Sequence, residues 1–333
     1  MFTEAFEDIL RGHCTGAQVR AIEAGGPHDA MWEAIAGSGF LDLMAPEDAS
    51  GAGLDLAGAL PIFTALGAHA VPLPVGQAIA LRTLLPAGQA VPPGLPTFAP
   101  ALRRESDGAF TAPRVPHGTQ ADHVLAEHDG ALWLLDAHAA QRRPAGIHGE
   151  ATADLHWPAA AASAARPLPQ AVPPGRLAAW GAALHAALLA GALQRSFEMT
   201  LQYGNDRVQF GKSIGKFQAV QHQLAVMAEH VAAARMAVAG AFAAGRSGPA
   251  MLPAAIAKAR TSEAATVAAT TAHAVHGAIG ITEEYDLQLF TRRLHTWRLA
   301  HGSEAHWHRV VGQALLDAPG TPAGDFVRGL QAA

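Results

Sequence analysis

Two long segments with helical apolar periodicity, joined by a short stretch rich in glycine and cations, constrain this chain more than any other feature. Before the stretch, apolar residues recur every four positions, at Leu189, Leu193, Phe197 and Leu201. After it they recur every three or four, at Val220, Leu224, Met227 and Val231. Both patterns predict amphipathic helices with one buried stripe. The chain therefore contains two long helices that meet around residues 207–217.

The residue types at this junction suit a dinucleotide. Arg207 is able to hold a phosphate by a bidentate contact, and Phe210 and Phe217 offer faces to cover a flat ring. Gly211 and Gly215 permit close approach of the backbone. On residue types alone, a solvated basic loop whose two phenylalanines plug a core explains the segment equally well.

The order of residues 207–218 resembles the Arg-x-Gln-Phe-Gly-Lys-x-Ile-Gly-x-Phe-Gln signature of the acyl-CoA dehydrogenase family, flavoenzymes that desaturate acyl-CoA thioesters. The match is ungapped. In that family the loop contacts FAD, mostly the FAD of a neighbouring subunit. The resemblance therefore implies FAD as cofactor. It also implies these FAD-binding residues: Arg207, Gln209, Phe210, Ile214, Phe217 and Gln218.

A second segment, residues 273–285, follows an alanine-rich helical stretch, and Gly277 and Gly280 end that helix. From residue types it reads equally as a helix C-cap with two buried histidines. It resembles the family's His-Gly-Gly-x-Gly-aromatic-Thr-x-Glu turn, which contacts FAD across the subunit interface. Ala278 replaces the second glycine and Ile281 the aromatic residue. The resemblance implies that Gly277 and Ala278 contact FAD.

The chemistry implied by the resemblance needs a glutamate that removes the proton α to the thioester carbonyl. In most relatives this glutamate precedes a Gly-Thr pair. Here Gly302 and Ser303 match that pair and are predicted to contact the cofactor, so His301 occupies the base position, with Glu304 as second choice. The alternative position used by some relatives falls near Gly181, and no acidic residue lies between 154 and 198.

The order of helical periodicity, short apolar runs and Pro- and Gly-rich segments along the chain predicts a mainly α fold with a small β domain, in three parts. Residues 1–90 form an N-terminal helical domain, residues 91–168 a small β domain, and residues 169–333 a C-terminal helical domain. This order resembles that of the family, which implies that the β domain is shortened and that residues 169–333 form a four-helix bundle carrying the FAD loops. A β-hairpin is expected where Asp129-Gly130 separates two apolar runs. The family's middle-domain stretches that hold the flavin ring and the acyl-CoA are not recognisable here.

Net charge, cysteine count and the length of apolar runs argue against several classes of protein. The net charge is −5 with interspersed signs, which argues against a nucleic-acid partner. Cys14 is the single cysteine, and the N-terminus does not resemble a signal peptide, so a cytoplasmic location is expected. Residues 177–193 predict a buried core helix and not a membrane span. The spacing of His301, His306 and His308 does not predict a metal site.

The leading hypothesis is an FAD-dependent acyl-CoA dehydrogenase-type oxidoreductase that desaturates an acyl-CoA thioester at the α and β carbons. As the resemblance implies, it passes electrons to an electron-transferring flavoprotein and assembles as a homo- or hetero-oligomer, a dimer or a tetramer. One alternative is a non-catalytic partner subunit in a mixed assembly, as in some bacterial members that act on steroid side chains. There, one chain lends FAD contacts while the other supplies the glutamate. A further alternative is an acyl-CoA-binding protein without redox activity.

Overall fold

The computed structural model describes residues 2–49, 51–86, 88–171, 173–243, 248–318 and 320–332. The chain divides into two compact units, each formed from several segments. The first unit comprises Met1–Ala59, Val71–Leu184 and Gly245–Met251. The second comprises Leu60–Ala70, His185–Ala244 and Leu252–Ala333. The three-part division expected from sequence stays a prediction.

The first ninety residues are helical, as the sequence predicts. The helices are α1 (Phe2–His13), α2 (Gly16–Glu23), α3 (Asp29–Ala36), α4 (Leu56–Ala68) and α5 (Val75–Leu84). Helix α2 begins with a capping box, in which Thr15 and Gln18 exchange side-chain and backbone hydrogen bonds. Helix α5 is buried over most of its length, which fits its lack of a polar face.

Two small sheets follow. The strands are β1 (Pro96–Phe98), β2 (Arg103–Arg104), β3 (Phe110–Val115), β4 (His123–His128), β5 (Ala131–Asp136), β6 (Gln141–Pro144), β7 (Ala153–Trp157) and β8 (Pro167–Ala171), with the short helix α6 (Ala159–Ala164) before β8. One sheet has the order β1-β4-β5-β8 and the other β2-β3-β7-β6. Only β1 and β4 run parallel among these pairs. Alternate strand residues, among them Phe110, Val124, Leu155 and Trp157, form a shared apolar core.

The hairpin predicted at Asp129-Gly130 is confirmed. Strands β4 and β5 pair antiparallel from His123↔Asp136 to His128↔Ala131. Asp129 and Gly130 both have positive φ, 49° and 73°, which is the backbone that a tight two-residue turn requires.

A glutamate of β4 caps the longest helix, α7 (Arg176–Asp206). Glu127 accepts hydrogen bonds from the backbone N–H groups of Gly175 (2.7 Å) and Leu177 (3.3 Å). The carboxylate thereby satisfies donors that no helical carbonyl reaches, and it opposes the positive end of the helix dipole. The β region thus fixes where α7 starts.

The second unit is built from long helices. After the second part of α7 come α8 (Gln218–Ala243), α9 (Met251–His276), α10 (Leu287–Trp297), α11 (Glu304–Leu316) and α12 (Ala323–Ala332). Helices α4 and α7 touch backbone to backbone at two glycines. A Cβ at Gly67 would lie 2.0 Å from the Leu188 carbonyl oxygen, and one at Gly191 would lie 2.0 Å from the Thr64 carbonyl oxygen. Only glycine permits that approach.

The predicted fold class, mainly α with a small β region, is confirmed. The predicted stripe of α8 is buried at Leu224, Met227 and Val231. In α7, Leu189 and Leu193 are buried, but Leu201 is 41% exposed. In its later turns α7 buries Ser196, Thr200 and Gly204 instead, so its buried face there differs from the apolar stripe in the sequence.

Within the part of the chain that the structure describes, α7 and α8 are long and apolar enough to cross a membrane by length and composition. The apolar window of α7 is 89% buried inside the protein, whereas that of α8 is 33% buried. Burial of α7 confirms the prediction of a core helix for residues 177–193.

Candidate functional site

The junction between α7 and α8 is a short β-hairpin. Strands β9 (Val208–Gln209) and β10 (Lys212–Ser213) pair antiparallel, and a turn at Phe210-Gly211 connects them with φ of 52° and 79°. The Ile214 N–H donates to the Arg207 carbonyl (2.8 Å), which closes the base of the hairpin. Gln218 is the first residue of α8. All six cofactor residues predicted between 207 and 218 therefore lie in one compact element.

The hairpin presents aromatic and cationic groups to solvent. Phe210 is 91% exposed, an unusual state for a phenylalanine in a folded chain. Its ring packs edge-on against Phe217, with centroids 6.2 Å apart, and the Lys212 ammonium lies 4.2 Å from the centre of the Phe217 ring. Arg207 is exposed as well. The alternative of a core-plugging Phe210 is therefore wrong for the isolated chain.

The second predicted segment forms a 3₁₀ turn, Gly277–Ile281, directly after α9. Gly277 has φ of 64°, and a Cβ built on it would meet nothing within 4 Å. Ala278 is exposed. The backbone at Gly277 is thus open to a ligand or to another chain, as the family's turn requires.

An aromatic cluster joins this turn to the hairpin end of α7. The rings of Tyr203 and His276 stack with centroids 4.4 Å apart, and Tyr285 packs against both, 6.2 Å from Tyr203 and 5.2 Å from His276. Tyr203 lies four residues before Arg207, so the structure brings the two motifs to the same end of the second unit. Sequence reasoning did not connect them, because their separation along the chain is about seventy residues.

His276 is held as a neutral imidazole. Its Nδ1 donates to the Ala272 carbonyl (2.8 Å), so the proton lies on Nδ1 and Nε2 is an acceptor. Burial lowers the pKa of His276, and neighbouring His273 adds to that effect while the backbone bond opposes it. Nε2 is buried without a hydrogen-bond partner among the described residues. Protonation would therefore place an unpaired charge between the two tyrosines.

The base loop, defined here as residues 298–304, connects α10 to α11. His301 is 6% exposed and has φ of 52°, and its ring lies 4.8 Å from that of the buried His185 on α7. The Trp307 indole N–H donates to the His301 carbonyl (2.9 Å). Gly302 follows with φ of 99°, and Ser303 is the N-cap residue of α11.

Glu304, the second candidate base, has a partner of its own. The Arg298 guanidinium donates to Oε1 of Glu304. Burial pushes the pKa of Glu304 up, but its backbone N–H, the Arg298 bond and nearby positive charges outweigh burial, so the pKa lies below its ordinary value. A carboxylate stabilised in this way is a weaker proton acceptor than a free one.

A lysine that sequence reasoning missed holds the base loop. Lys258 of α9 is fully buried, and its Nζ lies 3.0 Å from Ser262 Oγ, 2.8 Å from the Arg298 carbonyl oxygen and 2.9 Å from the Gly302 carbonyl oxygen. Burial lowers the pKa of Lys258 to about 7; Glu304 opposes this shift and Arg298 adds to it. The available signal was one lysine in an alanine-rich, apolar helix.

Helix α9 also separates the two parts of the candidate site. The base loop is bound to Lys258, and the aromatic cluster is bound to His276, eighteen residues further along the same helix (276 − 258). At 1.5 Å per residue, these anchors lie about 27 Å apart. The hairpin and turn at one end and the base loop at the other thus present separate binding surfaces.

These residues fit a flavin dinucleotide at the hairpin end. Exposed cations suit a pyrophosphate, the exposed Phe210 suits a flat ring, and the open backbone at Gly277 allows close approach. Among the described residues no group of three or more histidine, cysteine or acidic side chains is placed to hold a metal ion.

Comparison with known proteins agrees with this arrangement. Residues 176–316 match the model of the acyl-CoA dehydrogenase C-terminal domain. The chain is 33% identical over 309 residues to acyl-CoA dehydrogenase IpdE2 of Mycobacterium tuberculosis, covering 89% of this chain and 90% of that protein. It is 32% identical over 313 residues to IpdE2 of Mycolicibacterium smegmatis, covering 89% and 91%.

Solved structures show the same fold. The ChsE4-ChsE5 complex of Mycobacterium tuberculosis matches with a TM-score of 0.79 at 21% identity, over 96% of this chain and 97% of that chain. Butyryl-CoA dehydrogenase of Megasphaera elsdenii matches with a TM-score of 0.72 at 20% identity, over 94% and 98%. Because the IpdE2 relatives are 32–33% identical over 89% of its length and the family model matches its C-terminal part, the chain belongs to the acyl-CoA dehydrogenase family.

Proposed function

We propose that this chain is a subunit of an FAD-dependent acyl-CoA dehydrogenase that desaturates an acyl-CoA thioester, and that it lends its hairpin and turn to an FAD seated on a partner subunit. The observation that carries the proposal is the division of the second unit. The hairpin and the turn meet through Tyr203 and His276, while the base loop lies about 27 Å away, and its one carboxylate, Glu304, is bound by Arg298 through Oε1.

In this function Arg207 holds the pyrophosphate, because a charge-assisted bond to phosphate is the strongest contact that the hairpin can make. Phe210 packs near the adenine end of the cofactor. Gln209, Ile214, Phe217 and Gln218 complete the hairpin surface, and the backbone at 277–278 contacts the dinucleotide from the adjoining turn.

The reaction requires a base beside the carbon α to the thioester carbonyl. FAD, when bound, accepts the hydride that leaves the β carbon. Glu304 is engaged by Arg298 and has a lowered pKa, so this chain does not present the usual carboxylate. The glutamate then comes from the partner subunit. Gly302 and Ser303 contact the cofactor from this chain.

A second candidate, favoured by the geometry of His301, is a self-sufficient dehydrogenase. The resemblance in sequence implies that His301 stands at the base position, and its ring is buried beside that of His185. A neutral imidazole accepts a proton near pH 7, and the resulting cation would stabilise a developing enolate. Its burial in the isolated chain makes this function depend on the base loop opening toward substrate.

Two-chain assembly is part of the proposal. One solved structure of similar fold is the ChsE4-ChsE5 complex, and another is a variant of the Tcur3481-Tcur3483 steroid ACAD, with a TM-score of 0.77 at 23% identity. These likenesses favour a hetero-oligomer and a steroid-derived acyl-CoA. An electron-transferring flavoprotein is the proposed electron acceptor, and the cytoplasm the proposed location.

The test is flavin content. The chain is purified alone and together with a candidate partner, an acyl-CoA dehydrogenase-like protein from the same organism that carries the catalytic glutamate, and FAD is measured by absorbance. We expect stoichiometric FAD only in the two-chain assembly. Full FAD occupancy and dehydrogenation of acyl-CoA by the chain alone would favour the self-sufficient enzyme, and no flavin in either preparation would refute both.

A matched pair of variants tests the hairpin. Arg207→Ala should weaken FAD binding by the assembly about 10- to 100-fold, since a bond between charged partners contributes about 1.5–3 kcal/mol. Arg309→Ala removes another exposed arginine, on α11 and outside both flavin segments, and should leave FAD binding unchanged. Equal affinities in the two variants would show that the hairpin does not hold the pyrophosphate.

A further inference from the structure

We propose that Lys258 is the positioning residue for the base loop: by binding the Arg298 and Gly302 carbonyls together, it holds His301, Gly302 and Ser303 in the conformation that the substrate and flavin meet. The proposal deepens the function proposed above and rests on it for the role of the loop.

The first support is the geometry of the ammonium group. Its three N–H groups match three acceptors at 2.8–3.0 Å, two of which are carbonyls of the base loop. These carbonyls lie four residues apart in sequence, and binding both to one nitrogen closes the loop into a ring. Ser262, one helical turn after Lys258, also donates to the Arg298 carbonyl (3.3 Å). A lysine side chain stays fully buried only when such bonds offset the free-energy cost of removing its charge from water.

The second support is the strain of the loop. His301 and Gly302 are consecutive residues with positive φ, a backbone conformation that is unfavourable for a histidine. Side-chain donors bind backbone carbonyls before and within this pair of residues. Lys258 holds the carbonyls at 298 and 302, and Trp307 holds the carbonyl at 301. The conformation at the base position therefore depends on tertiary bonds and not on local preference.

The third support is the charge environment. Arg298 and Glu304 from the loop face the ammonium group, and the imidazoles of His301 and His185 lie in the same buried region. Because burial lowers the pKa of Lys258 to about 7, the ammonium and the amine are both populated near neutral pH. The amine has one N–H fewer and no charge, so its bonds to the two loop carbonyls weaken as pH rises through that value. Order in the base loop should therefore decrease between pH 6 and pH 8.

The experiment measures hydrogen exchange of the base loop in the two-chain assembly. Wild type is compared with Lys258→Met, which keeps the length of the side chain and removes all three donors. Arg260→Met, two residues further along α9, is the control, because Arg260 pairs with Glu263 and His230 and not with the loop. Segment 207–218, at the far end of α9, serves as internal reference.

We expect Lys258→Met to raise exchange in segment 298–304 at least tenfold while exchange in 207–218 stays as in wild type. Wild-type exchange in the loop, corrected for the intrinsic pH dependence, should rise from pH 6 to pH 8, and the variant should lack that rise. Ser262→Ala, which removes one of the three Lys258 bonds and the direct Ser262 bond to the Arg298 carbonyl, should give a smaller increase and covers the case in which Lys258→Met fails to fold.

The outcomes separate the two proposals. Unchanged loop exchange in Lys258→Met or, if that variant does not fold, in Ser262→Ala overturns the positioning role, whatever the flavin content. A loosened loop in an assembly that binds FAD normally, together with a lower kcat and little change in KM, supports it. If wild-type assembly contains no flavin, the proposed function fails, and the exchange data still decide whether Lys258 sets the loop.

Discussion

The contact between α4 and α7 gives the sharpest prediction of stability. In Gly191→Ala the new Cβ would lie 2.0 Å from the Thr64 carbonyl oxygen and 2.7 Å from the Ala68 nitrogen. Because a carbon and an oxygen in contact are more than 3 Å apart, the two helices must separate by about 1 Å. Overpacking of this kind costs about 1–3 kcal/mol, and the better helix propensity of alanine returns up to about 1 kcal/mol. We expect a net loss of about 1–2 kcal/mol.

The same substitution on α8 supplies the control. A Cβ at the exposed Gly240 meets nothing within 4 Å, so Gly240→Ala should gain about 0.5–1 kcal/mol from helix propensity alone. Thermal and urea unfolding followed by circular dichroism compare the two variants. The melting temperature should fall in Gly191→Ala and rise in Gly240→Ala. If Gly191→Ala proves as stable as wild type, the close approach of the two helices is not as described.

Gly67→Ala makes the complementary clash, with the Leu188 carbonyl oxygen at 2.0 Å. One separation of α4 from α7 relieves both clashes. The double variant Gly67→Ala/Gly191→Ala should therefore lose less stability than the sum of the single variants. A strictly additive loss would mean that the two glycines act at independent contacts.

Three further outcomes follow from other contacts. Glu127→Gln should destabilise the chain by about 1 kcal/mol in urea unfolding, because it weakens the charged cap of α7, whereas Glu229→Gln on the exposed face of α8 should not. In dehydrogenation assays with acyl-CoA and an artificial electron acceptor, the assembly should keep its activity in both His301→Ala and Glu304→Gln if the base lies on the partner. Loss in His301→Ala alone would identify this chain as catalytic. The folded-state pKa of Glu304 is lowered, so its pair with Arg298 stabilises the fold above the unfolded pKa and is lost as pH falls through the folded pKa; Glu304→Gln should remove that part of the acid sensitivity in melting temperature.

Much of the fold follows from local rules that the sequence displays. Apolar residues at helical spacing predicted α7 and α8, and Asp129-Gly130 predicted the β4–β5 turn, because helix periodicity and turn conformation depend on neighbours within a few residues. The order of residues in 207–218 and 273–285 indicated the family, which the comparisons confirm.

The tertiary structure alone decided where these elements end and what their side chains meet. The stripe of α7 continues to Leu201, yet the later turns bury Thr200 and Gly204 instead, and the pattern cannot show which face of a helix the fold covers. Phe210 likewise carries no local sign of its exposure. Burial is a property of the assembled unit, so the same apolar residue serves a core or an external surface.

The candidate base loop shows the same limit most clearly. Sequence order placed His301 and Glu304 side by side as alternatives, but Arg298 binds Glu304 while His301 packs on His185. Lys258 reaches the loop from forty residues away. A buried polar group must find its partner wherever the fold provides one, and only the folded chain fixes that choice.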